Sequence, residues 1–487
     1  MSIRPTIPAA RLRAISTSLI AIALLAGCGV ARDRTTAGLT LPTAYSAETA
    51  ARMAAPTVSQ MAPQTATHTA ANSTQQAAAP LPQDAIDWRR FGNAELADLI
   101  ALAHTGAFDL AAAMARVRQA EAYARIAGAA LLPQVDASAS AGRSRTDGDT
   151  ASNYGAGLSA SYEIDVWGGN AAARDAALAS LAATRYGRDT VQLTLTEGVT
   201  TTWMQTVGAR ERTAIARLNL DAAERVLALV DTRLRAGMAT PLERAQQRGL
   251  VATQRQAFAA RERDVRDAQA TLALLLGRPP QDVTVHTAQL NAIASITIAP
   301  GVPADLLTRR PDVALAEREL AAADANVAAA RAALLPRLTL TAGVGVGHNQ
   351  VRGLFDNPLY NLAAGLTAPV FDAGRLSGAR DLALAQREEL LANYRAAIVN
   401  AIGDVSLALN AIDSLAQQRQ AQEEALAQAR EAARLSESRY RFGAETLLTV
   451  LDAQRTLYAA QDDAVVLHLV QLQAEVALFK AAGGDWR

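Results

Sequence analysis

One cysteine, one lysine and very few aromatic side chains define what this 487-residue chain does without. The cysteine is Cys28, so no disulfide can form within the chain. Phe, Tyr and Trp make up only 4% of residues although half the chain is apolar. Aromatic bulk dominates most large globular cores. An Ala- and Leu-rich chain without it fits helices packed closely along their length. The single lysine is Lys480, so arginine carries nearly all the positive charge. The 47 basic and 47 acidic residues cancel, which leaves no basic excess for a nucleic-acid partner. His68, His104, His286, His348 and His468 are scattered without metal-ligand spacing. No nucleophile elbow, phosphate loop or dinucleotide fingerprint occurs. The expectation is no enzyme, no catalytic residue, no metal and no cofactor.

The N-terminus carries an address. Arg4, Arg11 and Arg13 precede the apolar run Ala14 to Gly27, and no acidic residue occurs before Asp33. This is the pattern of a secretory signal, too short to span a bilayer, over residues 1–27. It ends in "LAGC", Leu25 to Cys28, which resembles a bacterial lipobox. That resemblance implies a covalent lipid on Cys28 as the first mature residue. The next residue is Gly29 rather than Asp, which by the same resemblance favours the outer membrane. Residues 28–86 are rich in Ala, Thr, Ser, Gln and Pro, without period, and read as a lipidated low-complexity tether, mostly disordered.

Beyond the tether the chain repeats itself. "DLAAAMARVRQAEAYARIAGAALLP" (Asp109 to Pro133) parallels "DVALAERELAAADANVAAARAALLP" (Asp312 to Pro336), and "RLRAG" (Arg233 to Gly237) parallels "RYRFG" (Arg439 to Gly443). The expected parts are a first repeat at 87–280, a connector at 281–310 and a second repeat at 311–487. Each repeat holds a helix, a β-hairpin (134–165 and 337–371), a long helix (168–235 and 374–441) and a further helix.

After each "ALLP" the pattern changes from helical to period two. Leu338, Leu340, Ala342, Val344 and Val346 alternate with Thr339, Thr341, Gly343, Gly345 and Gly347. Strands of about ten residues with one apolar face fit a membrane-spanning barrel wall, or an amphipathic hairpin on a soluble core. The long helices contain no proline, and each would reach roughly 100 Å. Tyr394, Ile398, Ala401, Val405, Ala408, Ile412 and Leu415 follow the alternating four-three spacing of a coiled-coil seam. A coiled-coil stalk would explain the helices but not the hairpins. Four strands cannot close a barrel in lipid, where each unpaired backbone group costs several kcal/mol. Bacterial barrels use at least eight, so the chain must complete its barrel with copies of itself.

Several motifs together are similar to the TolC-like outer-membrane factors, in the lipoprotein (NodT-type) branch that serves resistance-nodulation-division efflux systems. They are "LLPQ" and "LLPR", "SYEIDVWGG" (Ser161 to Gly169), "LLTRRPDV" (Leu306 to Val313), "APVFDAGR" (Ala368 to Arg375), "RYRFG" and "LLTVLDAQRTLY" (Leu447 to Tyr458). The resemblance covers residue 87 to the C-terminus. It implies a mixed α/β outer-membrane efflux channel: a homotrimer with a shared twelve-strand β-barrel and a periplasmic α-helical coiled-coil barrel. The implied partners are a periplasmic membrane-fusion adaptor, an inner-membrane resistance-nodulation-division pump and outer-membrane lipid.

The same resemblance places a periplasmic gate at the turns "RLRAGMATPLERAQ" and "RYRFGAETLLTVLDAQR". It implies that Glu243 and Tyr440 pair between helices to hold the closed state. Leu448, Asp452 and Arg455 match a constriction of apolar, acidic and basic rings. Spacing alone reads Asp452 and Arg455 equally as a surface pair three residues apart on one helix. Two positions depart from the family pattern: Thr449 stands where some members carry a second Asp, and Glu445 where some carry a basic residue.

Overall fold

The computed structural model describes residues 35–39, 41–42, 45, 88–146, 149–296 and 303–484. The signal at 1–27, Cys28 and most of the 28–86 tether lie outside them. After a 3-10 turn at Trp88–Phe91 the order is α1 (Ala94–Gly106), α2 (Phe108–Ala129), β1 (Gln134–Thr146), β2 (Asp149–Ile164), α3 (Gly169–Arg235) and α4 (Pro241–Leu275). Three 3-10 turns and the short α5 (Leu306–Arg309) connect these to α6 (Pro311–Ala332), β3 (Arg337–His348), β4 (Pro358–Thr367), α7 (Arg375–Arg441) and α8 (Leu447–Ala481). The duplication is metric: α2 and α6 each have 22 residues, α3 and α7 each have 67, and α4 and α8 each have 35.

The chain forms two compact units. The first holds the sheet with the adjoining ends of α2, α3, α6 and α7. Its strands run antiparallel in the order β1-β2-β3-β4. Register lines up the apolar residues predicted from period two: Leu158 faces Val344, Tyr162 faces Leu340, and Leu340 faces Ala364. The other row pairs Ser161 with Thr341 and Gly157 with Gly345. Every residue of β4 is exposed, including Tyr360, Leu362 and Leu366. The second hairpin was expected to run to 371, but β4 ends at Thr367. Pro369 two residues on has no N–H to give a ladder.

The motifs that flank the sheet explain the switch from strand to helix. Asp165 accepts from the N–H groups of Asn170 (3.1 Å) and Ala171 (2.7 Å). Asp372 accepts from those of Gly374 (3.1 Å) and Leu376 (2.9 Å). Each carboxylate satisfies donors that the first helical turn leaves free, and its charge suits the positive end of the dipole. Gly168 (φ +74°) and Gly374 (φ +85°) make the left-handed turn before each long helix, so these two glycines precede the helices rather than begin them. Trp167 Nε1 donates to the carbonyl of Pro336 at 2.7 Å, which ties the motif of the first repeat to the "ALLP" of the second. Two residues of the 28–86 segment make polar contacts with the helices. Thr35 gives both its N–H (2.8 Å) and its hydroxyl (2.6 Å) to Asp324, and Arg395 Nε donates to the Ala37 carbonyl at 2.7 Å.

The second unit holds the remaining helices and the connector. The described residues of the connector form no sheet ladder, so their backbone donors need other acceptors. Carboxylates on the helices supply them. Glu95 accepts from Thr287 N–H at 3.0 Å and from Trp203 Nε1 at 3.2 Å. Glu211 accepts from Leu290 N–H at 2.9 Å. Glu475, only 3% exposed, accepts from Ile296 N–H at 2.9 Å and from Ser295 Oγ at 2.7 Å. Arg310 of "LLTRRPDV" reaches Asp312 (2.6 Å) and Asp404 (2.9 Å).

Candidate functional site: the paired helix turns

Both long helices end at their turns in the same way. Gly237 (φ +74°) and Gly443 (φ +77°) are left-handed. Met238 N–H returns to the Arg233 carbonyl, and Ala444 N–H to that of Arg439, at 2.8 and 2.9 Å. Gly237 and Gly443 N–H reach the carbonyls of Leu234 and Tyr440, both at 3.0 Å. This is the Schellman pattern, which only glycine adopts without strain.

The helices that follow are capped by different means. Thr240 caps α4: its hydroxyl accepts from Glu243 N–H at 3.2 Å, and Glu243 Oε2 accepts from Thr240 N–H at 2.6 Å. This is a capping box, with Pro241 at the first turn. At α8, Thr446 accepts from Thr449 N–H at 3.4 Å, but Thr449 has no carboxylate to return. Glu445 does that work from the other side: its Oε1 accepts from Thr446 N–H at 3.0 Å and from Thr449 Oγ1 at 3.1 Å. Glu445 therefore supplies the carboxylate that position 449 lacks. These bonds, outweighing a small burial effect, hold the Glu445 carboxyl below its ordinary value. Arg439 lies 3.9 Å away from it.

Between the turns lies a packed cluster of Leu220, Val226, Val230, Leu250, Leu447, Val450, Leu451 and Tyr440. Tyr440 is 1% exposed, and its phenol donates toward Glu243 Oε1 at 3.5 Å. Burial first, then the Glu243 charge, pushes the phenol's pKa up, so it stays protonated and a donor at neutral pH. Glu243 is thus shared between the cap of its own helix and the phenol of α7. Gln247, fully buried, donates to the Ala223 carbonyl at 2.8 Å, and Arg244 pairs with Asp231 at 2.8 Å.

Of the five sequence-predicted gate residues, the fold joins Glu243 to Tyr440. Leu448 is 60% exposed, and Asp452 and Arg455 are exposed on the same helix. No ion pair joins Asp452 to Arg455 among the described residues; the Asp452 carbonyl accepts from Thr456 Oγ1 at 3.0 Å. Sequence reasoning missed Arg233, Thr240 and Gln247. The Thr-x-x-Glu spacing at 240–243 could have revealed the cap; the other two act across helices and leave no local pattern.

An amphipathic four-stranded meander feeding proline-free helices of 67 residues, with matched glycine turns at their ends, defines a class: outer-membrane efflux channels. The profile described as outer membrane efflux protein matches residues 99–278 and 302–484. The chain belongs to that family. It is 50% identical over 413 residues to the pyoverdine export outer membrane protein OpmQ of Pseudomonas aeruginosa, covering 82% of this chain and 87% of that one. It is 34% identical over 421 residues to outer membrane protein OprJ of the same species, covering 83% and 87%. Among solved structures, the crystal structure of CusC aligns with a TM-score of 0.77 at 30% identity, covering 85% of this chain and 99% of CusC. A membrane protein from Pseudomonas aeruginosa aligns with a TM-score of 0.78 at 32% identity, covering 85% and 99%. The protein is the outer-membrane channel component of an efflux pump in a Gram-negative bacterium.

Proposed function

We propose that three copies of this chain form one tunnel, lipid-anchored through Cys28, that receives cargo from a periplasmic membrane-fusion adaptor and an inner-membrane resistance-nodulation-division pump. The observation that carries the assembly is the open sheet: β1 and β4 each pair on one side only, and every residue of β4 is exposed. In lipid such edges must pair, and three copies of four strands give a barrel wide enough to hold a wet lumen. Apolar stretches in α7 and α8 are long enough by length and composition to cross a membrane; in this reading they face neighbouring helices. Native mass spectrometry of the detergent-solubilised protein should give a trimer, and a stable monomer would sink the assembly. Intact-mass measurement should find acyl chains on Cys28.

Glu243 and Tyr440 form the closing contact of the periplasmic end, and Leu448, Asp452 and Arg455 line its constriction. Support comes from the direct contact of the first two and the exposure of the other three. For cargo, the relatives at 50% identity are named for pyoverdine export, whereas those named for toluene or cation efflux stand at 33% and 30%. This supports a large, polar siderophore of the pyoverdine type. Deleting the gene should trap siderophore in the periplasm; unaltered secretion would reject that cargo and leave the channel reading intact.

A further inference from the structure

The closing contact depends on where α7 presents Tyr440, and one side chain outside the predicted set touches Tyr440 twice. The Arg233 guanidinium stacks over the Tyr440 ring, 4.5 Å from its centroid, and Arg233 Nη1 donates to the Tyr440 backbone carbonyl. That carbonyl already accepts from Gly443 N–H at 3.0 Å, so the arginine holds the last turn of α7 at its cap. Arg233 Nε is buried without a hydrogen-bond partner among the described residues; a buried donor left idle is costly, so the side chain is placed by the stack and the carbonyl bond. The internal repeat sharpens the point. Arg439 stands where Arg233 stands in the matching "R-x-R-x-G", yet it turns to Glu445 of its own turn. Only Arg233 crosses to the other long helix.

We propose that Arg233 is the positioning residue of the gate: it fixes the ring and backbone of Tyr440 so that the phenol meets Glu243. Arginine suits this role because one planar group can stack on an aromatic face and donate in its plane at once; a lysine ammonium cannot do both. The proposal rests on the reading of Glu243 and Tyr440 as the closing contact.

The test is a conductance cycle in planar bilayers on full-length protein, with Arg233→Met, Arg233→Lys, Tyr440→Phe and the Arg233→Met/Tyr440→Phe pair, each checked for trimer assembly. Tyr440→Phe removes only the phenol oxygen and keeps the ring. It should raise conductance; if it does not, the closing contact and this inference fall together. Arg233→Met should raise conductance equally, and the pair should rise no further than either single change. If Tyr440→Phe opens the channel while assembled Arg233→Met conducts like wild type, the inference alone fails. Additive effects in the pair would also overturn it. Arg233→Lys separates positioning from simple charge at the end of α3: it should behave like Arg233→Met, and full recovery of wild-type conductance would reject the positioning role.

Discussion

The phenol oxygen of Tyr440 lies 3.5 Å from Oε1 of Glu243, while the other oxygen of that carboxylate is occupied by the N–H of Thr240. One glutamate therefore caps its own helix and meets its neighbour. At this distance the phenol contact is weak, of the order of 1 kcal/mol per protomer, which suits a contact that must break in use. Glu243→Gln preserves a capping box, since Gln serves at that position, and with Tyr440→Phe it removes the charge-assisted bond. The pair should conduct more than wild type and sensitise cells to large antibiotics, with helix content unchanged. A wild-type conductance in an assembled channel would clear these residues of the role.

The register of the sheet makes the two faces separable. Leu340 shares its row with Tyr162 and Ala364, and Thr341 shares its row with Ser161 and Ala363. Leu340→Arg should cost roughly 2–4 kcal/mol near the bilayer midplane and impair assembly. Thr341→Arg, one residue along and facing the lumen, should assemble. Equal yields of heat-resistant trimer from the two variants would contradict the facing assigned here.

At the foot of the hairpins, Asp165→Ala and Asp372→Ala each remove two side-chain oxygens that accept from backbone N–H groups at the start of a 67-residue helix. Each should lower stability by about 1 kcal/mol, read as an earlier thermal transition in detergent. The Asn variants should recover only part of the loss, because the amide keeps one of the two acceptor oxygens and turns a donor toward the second N–H; no recovery would mean that the negative charge, rather than the cap, is what matters.

Burial pushes the Asp462 carboxyl up, but the bonds and charge of Arg212, with Arg261 beside it, outweigh this and hold it below its ordinary value of 3.8. Arg212 reaches it at 2.6 Å and Arg261 at 3.1 Å. A depressed folded value means that the stabilisation is complete above the unfolded value and is lost as pH falls through the folded one. Asp462→Asn should therefore melt earlier than wild type at neutral pH, and the gap should close as pH drops below 3.8. A gap independent of pH would show that the pair contributes packing alone.

The strands, the long helices and the turns were legible because each rests on local chemistry. Period two follows from the pleat; prolines and glycines interrupt the chain at Pro133, Gly237, Pro336 and Gly443. The end of β4 was misjudged because the apolar alternation continues through Ala368 and Val370 while Pro369 withdraws the hydrogen bond. Thr35 could not be placed from its neighbours, because its acceptor Asp324 lies 289 residues away.

By itself, the sequence determined the two matched repeats, the four strands with their apolar face, and the helix ends, all set by steric and hydrogen-bonding preferences within a few residues. Only the tertiary structure decided which carboxylates hold the connector and that Arg233 crosses to Tyr440. Those choices depend on distances between segments remote in the chain: Tyr440 stands 207 residues beyond Arg233, and no pattern within a few residues reports such a contact.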